Sequence, residues 1–324
     1  MFFSIIIPLK EINSFLEQTV SHIQKFPKKN WEIIILPNED VRNPWKGQGI
    51  TLLPTGRISP GEKRDIGAQY AKGDILVFLD DDSYPSSNLL EVAERDFTDP
   101  RVVSVGGPAI TPPNARFWEK VSGAVFLSRL SGGYPERYVP IGGKRVVYDW
   151  PSVNLMVRKH DFLSIGGFDT RYWPGEDTRL CEKLVLSGRG HILYDPSMVV
   201  WHHRRGNLLL HLRQVGAYGK HRGFFARKYP KSSRLFSYFL PSLFLLWVVC
   251  WIILLISASP ISIIFSFGIA GYMATMSIAL LQIAKLTSWS VSLVSFPYIV
   301  ATHLVYGYRF FQGFFSKKLV SALR

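Results

Sequence analysis

The chain has 324 residues and a formal net charge of +14, enough length for one catalytic domain with an appendage rather than a minimal fold. Two cysteines, Cys181 and Cys250, exclude a disulfide framework; both read as small buried hydrophobes, and the soluble part fits a reducing compartment. No Asp or Glu follows Asp195, while Lys and Arg continue from Arg204 to Arg324 beside apolar segments, so the basic excess points to an anionic membrane surface and not to nucleic acid.

Met1–Leu9 is apolar but short and lacks a basic leader, so it reads as a strand, Phe2–Pro8, rather than a signal peptide. Ile12–Ile23 has helical apolar spacing, and Trp31–Leu36 is a second continuous strand that ends at Pro37-Asn38-Glu39-Asp40. Ile50–Leu53 is a short strand. Pro60–Lys72 predicts a helix, with Pro and Gly at its start and Gly73 at its stop. Ile75–Leu79 predicts a strand running into Asp80-Asp81-Asp82, followed by a helix over Pro85–Phe97 and a strand over Val102–Gly106. This strand–helix alternation implies an α/β fold with a mostly parallel sheet, whose ligands sit at the carboxyl ends of the strands. Both acidic clusters, 38–40 and 80–82, fall at such ends.

Thr111–Arg145 reads as irregular, Val147–Val157 as a strand, and Glu176–Gly188 as a helix; short strands follow at Ile192–Tyr194 and Met198–Trp201. Asn207–Tyr229 predicts a basic amphipathic helix at a membrane interface, with Leu208, Leu212, Val215, Tyr218 and Phe225 on one side. Three apolar stretches close the chain: Phe236–Ile256, Ile261–Ala284 and Val291–Phe311, the third carrying His303 and Arg309. The basic stretch Arg204–Arg234 belongs in the cytoplasm, yet three spans would place Lys317, Lys318 and Arg324 outside; two or three spans are both compatible with the sequence. The expected domains are 1–205 for catalysis, 206–234 as an interfacial segment and 235–315 as a transmembrane region.

Four clusters carry candidate chemistry. Three consecutive carboxylates at a strand end repel one another unless a hard cation neutralises them, and oxygen ligands with substrate phosphates suit Mg²⁺ or Mn²⁺. A solvated helix cap is the plain alternative. Glu176 and Asp177 open a helix, where the dipole favours carboxylates; one of them is also a candidate general base. His202 and His203, after the strand ending at Trp201, can complete a metal shell or contact phosphate, or simply join an interfacial basic patch. Lys63 and Arg64, in the first turns of their helix, can face phosphates.

In this order the motifs resemble the family-2 glycosyltransferases of GT-A fold, over about residues 3–205. Ser4-Ile5-Ile6-Ile7-Pro8 resembles the family's first strand, and Asp40 resembles the acid that contacts the donor base, although Pro37-Asn38-Glu39 intervenes where the family has two aspartates directly after the strand. Lys63, Arg64 and Gly67, with Gly73-Asp74, resemble the Ala-Arg-Asn-x-Gly helix; Asp80 and Asp82 resemble the Asp-x-Asp metal motif; Gly167-Phe168-Asp169, Glu176-Asp177 and Leu180 resemble the acceptor-side segment; Pro196 and His202 fit its closing strand. The resemblance implies a Rossmann-like GT-A domain followed by an interfacial helix and transmembrane helices. It implies inverting transfer from a nucleotide-diphosphate sugar, with Asp177 as base. Pro8, Asp40, Lys63, Arg64, Asp80 and Asp81 would bind the donor, and Asp82, Asp80, His202 and His203 the metal. The expected acceptor is lipid-linked or a glycolipid, met at the cytoplasmic face of the cell membrane by a multi-pass protein. A polyprenyl-phosphate glycosyltransferase, a polysaccharide synthase and a nucleotide-sensing membrane protein are the alternatives. The Gln-x-x-Arg-Trp motif of polysaccharide synthases has no counterpart at Gln214–Tyr218.

Overall fold

The run Phe-Ser-Ile-Ile-Ile-Pro forms strand β1 (Phe3–Pro8), and every residue of it is buried, as a strand covered on both faces requires. The computed structural model describes residues 1–319, and Arg324 lies outside them. In chain order there follow α1 (Ser14–Gln24), β2 (Trp31–Leu36), β3 (Ile50–Leu52), α2 (Pro60–Tyr70), β4 (Ile75–Phe78), β5 (Ser83–Pro85), α3 (Leu89–Asp96), β6 (Val102–Gly106), β7 (Ala109–Ile110), α4 (Phe117–Ala124), β8 (Arg145–Val147), β9 (Leu155–Arg158), α5 (Lys159–Ser164), α6 (Glu176–Leu186), β10 (His191–Tyr194) and β11 (Val200–His202). The C-terminal part is helical: α7 (Leu208–Lys228), α8 (Pro230–Ser233), α9 (Leu240–Ile256), α10 (Ser262–Leu286) and α11 (Trp289–Phe315).

The chain divides into two units. The first comprises residues 1–112 and 139–203. Its main sheet has the order β3-β2-β1-β4-β9-β6-β10-β8. β1 runs parallel to β2 and β4, and the chain reverses direction across the sheet at β1. β9 enters antiparallel between β4 and β6. Side-chain alternation splits the buried residues between the two faces: Ile5, Ile7, Ile33, Ile35 and Val77 join one core, and Ile6, Ile34, Leu36, Leu76 and Phe78 the other. Each such side chain contributes about 1.5–3 kcal/mol through removal from water. A second sheet, β5-β11-β7, pairs Ser83 with His202 and Tyr84 with Trp201.

Helix α2 begins where Ser59 accepts from Glu62 N and the Glu62 carboxylate accepts from Ser59 N, with Pro60 in the first turn. Gly67 lets α2 lie close on β1, since a Cβ there would stand 2.7 Å from Ile6 Cγ2. The expected strand over Val147–Val157 is in fact two, β8 and β9, separated by a single helical turn at Ser152–Asn154. The expected helix over Pro85–Phe97 starts later, because Ser83–Pro85 pairs with β11.

The second unit comprises residues 113–138 and 204–319. The stretch 111–145, expected to be irregular, contains α4. Its Val121, Ala124 and neighbouring Val125 pack with Met276, Ala279, Ile283, Val291, Tyr298 and Ile299. Helix α7 departs from its expected facing. Tyr218 is exposed, and the buried side is Val215, Gly216, Gly219, Gly223, Phe224, Phe225 and Ala226. Glycines decide this: a Cβ at Gly219 would meet Tyr306 O and one at Gly223 would meet Phe310 O, so the backbones of α7 and α11 approach along a glycine seam. Of the three apolar stretches, α10 and α11 are long and apolar enough to cross a membrane, by length and composition. The first yields a helix of only 17 residues, short of the roughly 20 a full span needs.

Candidate active site

Strand β4 delivers Asp80, Asp81 and Asp82 to the carboxyl edge of the main sheet, next to β1, where ligands of such sheets bind. Ser83 fixes the turn: its Oγ accepts from Asp80 N at 3.1 Å and donates to Asp80 O at 2.8 Å. Ser83 also opens β5, and the pairing of β5 with β11 sets His202 beside it. His202 Nε2 stands 3.1 Å from Asp82 Oδ1, and His203 N donates to Asp82 O at 3.0 Å. Among the described residues, Asp80, Asp82 and His202 form the group able to hold a metal, with one ligand atom from each inside 4.8 Å of the others. Two carboxylates and one imidazole make a donor set that a divalent ion can take.

Arg64 organises the other side. It is 3% exposed, and its guanidinium forks: Nη2 reaches Asp80 Oδ1 at 2.5 Å and Nη1 reaches Glu176 Oε1 at 3.3 Å. Phe168 lies under it, with the ring centroid 5.6 Å from Cζ. Glu176 is buried, and this burial, followed by the Asp177 charge, pushes its carboxyl well above the usual range against the pull of Arg64. Gly175, at a φ of +114°, turns the chain into α6 so that Glu176 and Asp177 stand at its first turn. Asp177 is half-exposed, and its Oδ1 accepts from Thr178 N.

The fold thus brings Arg64, Asp80, Asp82, Glu176, Asp177 and His202 to one edge. The other expected site residues sit differently. Lys63 points inward: its ammonium donates to Leu9 O, Leu36 O and Asn38 Oδ1 at 2.8, 3.0 and 2.8 Å, which uses all three of its hydrogens. It therefore ties the ends of β1 and β2 together, and burial draws its pKa down to about 8. Asp81 accepts from Asn13 Nδ2 at 2.8 Å, while Asn13 Oδ1 caps α1. Burial first, then the Asp82 charge, push the Asp81 carboxyl up to about 6. His203 turns to Gln18 and lies tilted against the Phe15 ring. Pro8 is buried at the end of β1, and Asp40 is exposed in the loop after β2. Asn13 and Ser83 escaped the sequence reading, although Ser83 stands three residues after Asp80, where a hydroxyl often closes a turn.

Residues 4–161, about half of the chain, match the family model described as glycosyl transferase family 2. The chain is 28% identical over 165 residues to the pre-mycofactocin glycosyltransferases of two Mycobacterium tuberculosis strains, CDC 1551 and H37Rv; the match covers 49% of this chain and 33% of those proteins. The chain therefore spans about a third of the length of these relatives. A solved structure, the mannosyltransferase PcManGT of Pyrobaculum calidifontis with GDP-Man and Mn²⁺, superposes with a TM-score of 0.54 at 15% identity, over 98% of this chain and 88% of that one. With the motif order, the mostly parallel sheet and the carboxylate edge, these matches place residues 4–161 in glycosyl transferase family 2, on a GT-A fold.

Proposed function

We propose that the protein moves a sugar from a nucleotide-diphosphate donor to a hydroxyl of a lipid-linked acceptor at the cytoplasmic face of the cell membrane, with inversion and with a divalent ion. The observation that carries this reading is the gathering of Asp80, Asp82 and His202 with the Arg64–Glu176 pair and Asp177 at one sheet edge. Asp80, Asp82 and His202 would hold the ion, Mn²⁺ or Mg²⁺. When bound, it neutralises charge that builds on the leaving nucleotide. Arg64 keeps Asp80 and Glu176 in fixed orientation. Asp177 is half-exposed and can take the proton of the attacking hydroxyl, because a neutral hydroxyl is a poor nucleophile at pH 7. Asp40, exposed after β2, is the candidate contact to the donor base. The mannosyltransferase that shares the fold was solved with GDP-Man and Mn²⁺, which supports a nucleotide-sugar donor and a metal. Residues 1–205 would form the catalytic domain, 206–234 the interfacial segment and 235–315 the membrane region. Covalent continuity with that apolar, basic region supports membrane anchoring and an acceptor held in lipid.

The test is a panel of nucleotide sugars with Mn²⁺ and a membrane extract, read as donor turnover. Asp177→Asn is expected to lose transfer while keeping donor-dependent thermal stabilisation. Unchanged turnover would remove Asp177 as base. Stabilisation by nucleotide without turnover of any donor would favour a nucleotide sensor.

A further inference from the structure

By length and composition α11 passes for a membrane span, but its surroundings argue otherwise. Its C-terminal half is lined by α7: a Cβ at Gly216 would meet Val305 and Arg309, and one at Gly219 would meet Tyr306. Helix α7 carries Arg213, Lys220, Arg222, Arg227 and Lys228, of which Arg213, Arg227 and Lys228 are exposed. Exposed cations are costly in hydrocarbon, so α7 must lie outside it, and the half of α11 beside it lies outside too. The N-terminal half of α11 is lined by α4, whose Trp118 stacks on Tyr298 and which carries Arg116 at its start, exposed, and Glu119 and Lys120 within it. A hydrogen-bonded chain, Ser122 Oγ to His211 Nδ1 and His211 Nε2 to Thr302 Oγ1, both 2.8 Å, ties α4, α7 and α11 together. Over the most apolar stretch of α11, 39% is buried, against 11% for α10.

What is left for lipid is a hairpin. Between Arg234 and Lys285 the sequence holds no Asp, Glu, Lys, Arg or His. Helix α9 and the first half of α10 pair through Trp247 stacked on Phe265, Phe244 stacked on Tyr272, and Trp251 Nε1 donating to Ser266 Oγ. Their outer residues are exposed and apolar, reaching 81% at Ile256 and 74% at Phe267. The second half of α10 returns to the α4 segment, where Ser128 Oγ donates to Gln282 Oε1 and Met276, Ala279 and Ile283 are buried. At 1.5 Å per residue, the 17 residues of α9 reach about 25 Å, less than the roughly 30 Å of a bilayer core.

We propose that this hairpin, α9 with the first half of α10, is a re-entrant anchor that dips into an anionic bilayer and leaves by the same face, and that α11 does not cross. The proposal rests on the membrane reading given above and replaces its multi-pass topology. It also removes a charge conflict: Arg204–Arg234 before the hairpin and Lys317 and Lys318 after α11 then share one face, where three spans would separate them.

The experiment uses the full chain with Cys250→Ala, since Cys181 is fully buried. Single cysteines replace the exposed Lys231, the exposed Lys318 or the tip residue Ser257. A membrane-impermeant maleimide is applied to sealed vesicles of each orientation, and the fraction labelled is read. Lys231→Cys and Lys318→Cys are expected to label from the same face, and Ser257→Cys from neither until detergent is added. Labelling of positions 231 and 318 from opposite faces, or of 257 from the far face, overturns the topology while leaving membrane anchoring intact. Release of the whole protein from phosphatidylglycerol vesicles by high salt overturns both. Donor turnover, scored on the same vesicles, reports on the transferase reading separately.

Discussion

At the scale of single residues, the site depends on how one guanidinium is shared. Arg64 bonds Asp80 through one terminal nitrogen and Glu176 through the other. Lysine is a point charge and cannot make that fork. Arg64→Lys is expected to fold, as judged by circular dichroism, yet to lose at least about tenfold in donor turnover, because one carboxylate drifts from its place. Removing the charge is harsher: breaking a buried pair costs about 3–5 kcal/mol, so Arg64→Met should also lower the melting temperature. Asp65 gives a pH prediction away from the metal group. Its Oδ1 accepts from Phe168 N, and burial raises its pKa from 3.8 to about 6. Below pH 4 the carboxyl is protonated folded and unfolded alike and the shift contributes nothing. Above pH 6 it is ionised in both, and the folded state carries the full cost, at most about 3 kcal/mol and less after solvent screening. Stability should thus fall between pH 4 and 6 in the wild type. In Asp65→Asn, which keeps the acceptor, melting curves across that window should be flatter.

Elements were legible where a local pattern decides them. The continuous apolar runs at β1, β2, β4 and β6, and the Ser59–Pro60–Glu62 start of α2, are written in consecutive residues. So is α4, missed although Phe117, Val121, Ala124 and Val125 recur at helical spacing. What could not be read is non-local. Strands β5 and β11 have three residues each and lie more than a hundred residues apart, so no local signal gives the register that sets His202 beside Asp82. Lys63 shows the same limit: its charge suggested phosphate, but the carbonyls it satisfies belong to the ends of β1 and β2. The glycine seam of α7 and α11 was equally hidden, since glycine carries no apolar weight in a helical pattern. It supplies a paired test. Gly223→Leu would drive a side chain into the backbone at Phe310, whereas Gly271 on α10 has open space around its missing Cβ. In detergent, the first substitution should lower the thermal midpoint by several degrees and the second should leave it nearly unchanged, apart from helix propensity.

For the whole molecule, the order along the chain and the grouping in space differ. The sequence suggests a cut near residue 205, with catalysis before it and membrane helices after. Yet residues 113–138, which lie between β7 and β8 in the chain, group with the helical unit. Val121, Ala124 and Val125 there are fully buried, and their partners Met276, Ala279, Ile283 and Ile299 all come from α10 and α11. Ser122, Ser128 and Ser131 likewise bond to His211, Gln282 and His303. A chain ended at residue 205 keeps this segment but loses every one of those partners. Its apolar face would then be bared, with Phe126 and Leu127 beside it, a patch of the kind that drives association. Residues 1–205 expressed alone should therefore sediment as aggregates or stay bound to detergent, while the full chain in the same detergent remains monodisperse. Val121→Lys with Val125→Lys in the truncated chain should restore part of its solubility, because lysine keeps an exposed helix wet. The same pair in the full chain should be destabilising, since it places two cations in the packed core of the helical unit. That reversal of sign between the two backgrounds separates packing of 113–138 in the helical unit from a general surface effect. A soluble, monomeric 1–205 would mean that the segment finds other cover within the catalytic domain.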